Sequence, residues 1–167
     1  MPKYEPFKIL IVCMGNICRS PTAEAVFRTK VREAGLEKHV TVASAGTHGF
    51  HVGEAPDARA SRAAKKRGYD MEGQTAHQIT KEDFAHYDLI LAMDWENHAT
   101  LQQLSPRQHH HKIKLLMSFA TEHESAVIPD PYYGGADGFE TVLDYVEDAC
   151  INLLDFVRRR MAQKAAA

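Results

Sequence analysis

The sequence predicts an α/β protein: a doubly wound, open, mostly parallel sheet with helices on both faces, built as one domain over residues 1–167. Short β-branched apolar runs alternate with longer helical repeats in the order β-α-β-α-(α)-β-α-β-α, the pattern that right-handed crossovers between parallel strands require. The first run, Phe7-Lys8-Ile9-Leu10-Ile11-Val12, is almost wholly apolar, as in a strand covered on both faces. A chain of 167 residues supports one core that buries about 70% of its unfolded surface, and leaves no room for a second domain.

Each element has its own signal. Residues 7–12 form the first strand, which ends in Cys13. Ser20 and Pro21 supply an N-cap and a proline at the first helical position, and Ala23, Phe27, Val31 and Ala34 repeat at helical spacing until Gly35. Residues 40–45 form the second strand, and residues 57–67 an alanine-rich helix stopped by Gly68. Thr80-Lys81-Glu82-Asp83 reads as a capping box that opens a short helix. Residues 87–93 form the third strand, Asp94 caps a helix over 95–104, Pro106 ends it, and residues 112–117 form the fourth strand. After a long loop, the apolar positions from Phe139 to Val157 keep helical spacing, with Arg158, Arg159 and Arg160 near the negative end of the helix dipole.

Composition narrows the function. Twenty Lys and Arg against 22 Asp and Glu leave a net charge of −2, without the positive field that drives binding to nucleic acid. No apolar run approaches the roughly 18 residues of a membrane span, and residues 1–8 precede no secretory apolar core, so a cytoplasmic protein is expected. The three cysteines, Cys13, Cys18 and Cys150, are an odd number and are expected to be reduced, with Cys150 on the apolar face of the last helix.

In a parallel sheet all strand-to-helix loops emerge at the carboxyl edge, where ligands bind. The loops holding residues 13–20, 44–50, 94 and 128–135 are therefore brought together. The first contains Cys13, Met14, Gly15, Asn16, Ile17, Cys18, Arg19 and Ser20, with a C-x5-R core. A loop running into a helix N-terminus offers N–H groups and the positive dipole end to an anion, while Arg19 supplies a planar fork for phosphate oxygens. Gly15 and Asn16 tolerate the left-handed backbone that a tight loop needs. A thiol in such surroundings can fall from about 8.5 to roughly 3.5–7.5 in pKa, which makes Cys13 a candidate nucleophile, with the Ser20 hydroxyl as a partner of the thiolate. The lysine of a nucleotide-hydrolysing P-loop is missing. An acid for the leaving oxygen comes from Asp94 or Asp130. Asp94 has a competing role as a helix cap, whereas Asp130 sits between Pro129 and Pro131 in a stiff loop that leads to Tyr132 and Tyr133.

These residues resemble the low-molecular-weight protein tyrosine phosphatases. Val12-Cys13-Met14-Gly15-Asn16-Ile17-Cys18-Arg19-Ser20-Pro21 and Asp130-Pro131-Tyr132-Tyr133-Gly134-Gly135 carry the likeness, which runs along nearly the whole chain. The resemblance implies a four-stranded parallel sheet of order 2-1-3-4. It implies Cys13 as the nucleophile forming a phosphocysteine, Arg19 as the phosphate clamp, and Asp130 as general acid and then base. Asn16 and Ser44 would hold the loop in shape, Ser20 would support the thiolate, and no metal or cofactor would be needed. Cys18 resembles the family's second loop cysteine, which forms a reversible disulfide with the nucleophile. Phe50, Tyr132 and Tyr133 would wall the substrate site. Ile17, where related arginine phosphatases usually carry threonine, points to phosphotyrosine. The implied partners are phosphotyrosine-containing proteins, with a tyrosine kinase among the candidates, and neither nucleic acid nor membrane; the implied state is a monomer or weak dimer.

Two other functions compete. An arsenate reductase on this scaffold needs relay cysteines between Cys18 and Cys150, and there are none. A non-catalytic phosphate-binding module would need neither the thiol nor the stiff aspartate. His109-His110-His111 reads as a solvated loop, because consecutive side chains seldom converge on one ion. His77 has no assigned role.

Overall fold

A computed structural model describes residues 5–132 and 134–166. The strands are β1 (Phe7–Cys13), β2 (Val40–Gly46), β3 (Leu89–Ala92) and β4 (Ile113–Leu115). The helices are α1 (Arg19–Glu33), α2 (Ala58–Lys66), α3 (Asp83–His86), α4 (Trp95–Leu104) and α5 (Asp137–Ala166). All strand pairs are parallel, in the expected order β2-β1-β3-β4.

β1 is paired on both sides, from Phe7 opposite Val40 to Cys13 opposite Gly46, and from Ile9 opposite Leu89 to Val12 opposite Ala92. Alternate strand residues point to opposite faces. Phe7, Ile9, Ile11 and Cys13 accordingly join Val26 and Phe27 of α1 with Leu143, Val146 and Cys150 of α5 in one core layer. Leu10 and Val12 enter the other layer with Phe84 of α3 and Leu101 of α4. Two covered faces explain why β1 is apolar rather than alternating, with each such buried side chain contributing about 1.5–3 kcal/mol. No helix among the described residues is long and apolar enough to cross a membrane.

Several local expectations are corrected. α1 starts at Arg19 with Cys18 in the cap position and no side-chain cap bond, so Ser20 lies inside the helix. The Ser20 hydroxyl is engaged elsewhere, by Cys13 and Asn16. The capping box forms by half: Asp83 Oδ2 accepts the Thr80 N–H at 2.8 Å, while α3 has no side-chain cap bond at its own N-terminus. β4 keeps three residues, and Leu116–Phe119 turns into a 3-10 helix instead of extending the strand. As an edge strand paired on one side only, it has half the ladder to hold it. His109, His110 and His111 sit in another short 3-10 helix, Arg107–Lys112, rather than in an irregular loop. α5 continues to Ala166, which moves Arg158, Arg159 and Arg160 away from its end. The Arg160 guanidinium lies over the rings of Phe7 and Phe156, at 5.9 and 5.6 Å.

Candidate active site

At the carboxyl edge of the sheet, β1 delivers Cys13 into a loop that curls back before α1. Asn16 holds φ at +58°, a left-handed conformation costing about 1–2 kcal/mol for a residue with a Cβ. Gly15 does not share that conformation among the described residues, contrary to expectation. Its role is steric: a Cβ there would stand 3.0 Å from the His51 ring. Asn16 is held by its side chain, whose Nδ2 donates to Ser20 Oγ at 2.8 Å and Ser44 Oγ at 2.9 Å. Its Oδ1 accepts the His77 N–H at 2.9 Å. His77 thus acts through its main chain, which is why its side-chain type carried no signal. Ser44 in turn donates to Glu24 Oε1 at 2.7 Å, and Arg28 pairs with the other oxygen of Glu24.

This network aims two donors at sulfur. The Asn16 N–H reaches Cys13 Sγ at 3.3 Å. Because Ser20 Oγ already accepts from Asn16, its proton goes outward; Cys13 Sγ lies at 3.0 Å and the competing Ala45 carbonyl at 3.4 Å. No side chain caps the first turn of α1, so its N–H groups remain available to an anion held over Cys13.

Arg19 is 3% exposed and is fixed from the far side of the cradle. Its Nη1 donates to Asp94 Oδ2 at 2.7 Å and to the Ile128 carbonyl at 2.9 Å. The rest of the guanidinium borders the cavity. Asp94 does cap α4, through Oδ1 and the Asn97 N–H at 2.7 Å, and uses its second oxygen to hold the arginine. Both its oxygens are engaged. Asp130 differs: Oδ1 accepts the Tyr132 N–H at 3.0 Å, while Oδ2 lies 3.8 Å from Arg19 Nη2 on the cavity wall. The Ile128 N–H donates to the Met93 carbonyl at 2.8 Å, anchoring this loop beside β3.

Cys13, Met14, Gly15, Ile17, Cys18, Arg19, Phe50, His51, Asp130 and Tyr132 line a cavity of about 330 Å³. Phe50 is 75% exposed and stacks on His48 with centroids 5.3 Å apart, so it forms a rim rather than a buried wall. Tyr133 lies outside the described residues. Burial, and after it the nearby charges of Asp57, Cys13 and Asp130, push the Cys18 thiol up to about 12. Cys150 is fully buried in the core, and burial raises its thiol above the ordinary range. All three thiols are free. Among the described residues no three His, Cys, Asp or Glu side chains are grouped to hold a metal ion.

Three site residues escaped sequence reasoning. Gly46 ends β2 where a Cβ would meet the Met14 carbonyl at 2.7 Å, a clash with no local signature. Glu24 looked like an ordinary helical acid, although it sits beneath the cradle. His51 lines the cavity with Glu54 bound to its Nδ1, and the i, i+3 spacing was the one available hint.

A family model described as low molecular weight phosphotyrosine protein phosphatase matches residues 8–164. The chain belongs to this family. It is 42% identical over 163 residues to a low molecular weight protein-tyrosine-phosphatase of Streptomyces coelicolor, covering 96% of this chain and 99% of that protein. It is also 42% identical over 149 residues to the human low molecular weight phosphotyrosine protein phosphatase, covering 88% and 93%. A crystal structure of the Entamoeba histolytica protein tyrosine phosphatase with Hepes in its active site superimposes with a TM-score of 0.90 at 39% identity, covering 92% of this chain and 97% of that one.

Proposed function

We propose that this member of the low molecular weight phosphatase family hydrolyses phosphotyrosine monoesters in proteins without a metal. The observation that carries the reading is Cys13 Sγ at the base of the cradle, with the Asn16 N–H and Ser20 hydroxyl on sulfur and Arg19 and Asp130 on the cavity wall. The Cys13 thiolate attacks phosphorus while the bond to the phenolic oxygen breaks. Asp130, protonated, gives its proton to that oxygen, and Arg19 with the loop N–H groups holds the equatorial oxygens. Asp130, now a carboxylate, takes a proton from water. The water oxygen attacks the phosphocysteine, the S–P bond breaks, and phosphate leaves with the thiolate restored. Asp94 is unsuited to the acid role because both its oxygens are committed.

Acid-quench trapping of a covalent phosphoenzyme tests this. Asp130→Ala should accumulate phosphocysteine from an activated aryl phosphate, since its breakdown loses the base; Cys13→Ser should accumulate none. A phosphoenzyme in Cys13→Ser would overturn the assignment.

We further propose that Cys18 protects Cys13. Peroxide oxidises the Cys13 thiolate to a sulfenic acid, and the Cys18 sulfur then displaces its oxygen as water, leaving a disulfide that cellular thiols reduce. The high pKa of Cys18 makes this step slow at neutral pH. Three reduced thiols suit the cytoplasm, where we place the enzyme. The family match over residues 8–164 supports one catalytic domain along the chain. We propose that it acts as a monomer or weak dimer, with a tyrosine kinase among its candidate substrates.

A further inference from the structure

A groove with one cationic bank lies along α2, near the catalytic cavity. Arg59, Arg62 and Lys66 stand on one face of α2 and, with Asp137, Phe139 and Glu140 of α5 opposite, line a hollow of about 460 Å³. The spacing i, i+3, i+7 puts the three cations in one row. The groove joins the active site through Arg59: its Nη2 donates to the Tyr132 carbonyl at 3.0 Å, and its guanidinium lies 4.8 Å from the Phe139 ring centroid at the groove floor. Tyr132 is itself part of the catalytic cavity wall.

The charges of the two banks are unequally used. Arg67 binds Glu140, Asp144 and Glu147 together, which ties these carboxylates to the end of α2 and offsets one of their three charges. Arg59 is paired with Asp57 at 3.0 Å. Arg62 and Lys66 are exposed and have no ion-pair partner among the described residues. Asp137 is the remaining acid of the groove lining. Arg62 and Lys66, two cations without an ion-pair partner among the described residues on the α2 bank of a hollow linked to the catalytic cavity wall by the Arg59–Tyr132 bond, call for an anionic occupant.

We propose that this groove docks an acidic segment of the protein substrate, on one side of the phosphotyrosine. The inference rests on the phosphotyrosine phosphatase reading above and adds a substrate class to it: phosphotyrosines flanked by aspartate and glutamate. The charges sit at a solvated rim, so they act on encounter and KM more than on chemistry.

Phosphopeptides of equal length, with acidic residues before the phosphotyrosine, after it, or replaced by their amides, test the groove in the full-length chain beside a small aryl phosphate. One of the two acidic series should show kcat/KM about 3- to 10-fold above the amide peptide, from KM. The Arg62→Glu/Lys66→Glu variant should remove that advantage and leave aryl phosphate turnover unchanged, and raised salt should have the same effect on the wild type. Equal kcat/KM for all peptides, or an acidic preference that survives the double charge reversal, would overturn the docking groove while leaving the phosphatase reading intact. Loss of all turnover in wild-type protein would instead defeat the phosphatase reading.

Discussion

The cradle and the acid loop meet over one cavity but are built differently. In the cradle, Cys13, Asn16 and Ser20 are 3%, 2% and 0% exposed, and every polar side-chain atom of Asn16 is bonded into a chain ending at Arg28. The Asp130 side chain is 36% exposed and rests on one bond to the next turn and a 3.8 Å approach to Arg19. Its loop is secured away from the carboxylate: Ile128 by Met93 and Arg19, Tyr132 by Arg59, and the root at residues 121–123 by Asp148. The contrast fits the two tasks proposed for these regions. An anion cradle must have its donors fixed in advance, because donors that reorganise during reaction stabilise the transition state less. An acid must stay hydrated enough to change protonation twice per turnover.

Substitutions can break that contrast, beginning with the largest effect. Cys13→Ser should lower aryl phosphate turnover by about four orders of magnitude or more, since a hydroxyl in this cradle lacks the thiolate's nucleophilicity. Asp130→Ala should lower kcat by about 10²–10³, more for alkyl than aryl phosphates, with an unchanged melting temperature. A larger loss on aryl substrates would reassign the acid. Asn16→Ala should cost activity and stability together, about 10- to 100-fold in kcat and about 1–3 kcal/mol by denaturation, because Ser20, Ser44 and His77 each lose a partner. Asn16→Gly relieves the left-handed strain yet should recover little activity; full recovery would mean that conformation, not hydrogen bonding, is what Asn16 supplies.

Asp148 tests the root of the acid loop through pH. Burial disfavours its charge, but N–H groups of Thr121, Glu122 and His123 with the His123 ring outweigh that and hold its carboxyl below the usual range. A lowered folded pKa contributes stability above the unfolded value of about 4, which is lost as pH falls through the folded pKa. Asp148→Asn should therefore cost about 1–2 kcal/mol at pH 7. The gap should narrow in urea melts below about pH 4. The smallest effect belongs to the rim: Phe50→Ala should raise KM for phosphotyrosine peptides about 2- to 5-fold with kcat unchanged, because the ring is largely solvated.

Much of this was legible in sequence, and what was not has a common cause. β1 was readable because a strand covered on both faces shows as an apolar run, and the stiffness around Asp130 because prolines act locally. The N-cap assigned to Ser20 failed through competition: its hydroxyl is bound by Cys13 and Asn16, so the statistical preference for capping was outbid by a specific pair of partners. Gly46 was invisible because the atom that forbids a side chain there, Met14 O, belongs to another segment. β4 was overextended because an apolar run does not reveal whether a strand has one neighbour or two.

By itself the sequence determined the crossover order and the chemical inventory of the site: a thiol and an arginine in a strand-to-helix loop, and an aspartate held between prolines. Those are short-range facts, set by spacing along the chain and by the backbone freedom of a few residues. Tertiary structure alone decided how the groups divide their labour. Asp94 and Asp130 are both carboxylates at the same sheet edge, and they differ because Arg19 and the first turn of α4 consume both oxygens of Asp94 and leave one of Asp130 facing the cavity. Which donor reaches which acceptor depends on segments packed across the sheet edge, and that competition is settled only once they are packed.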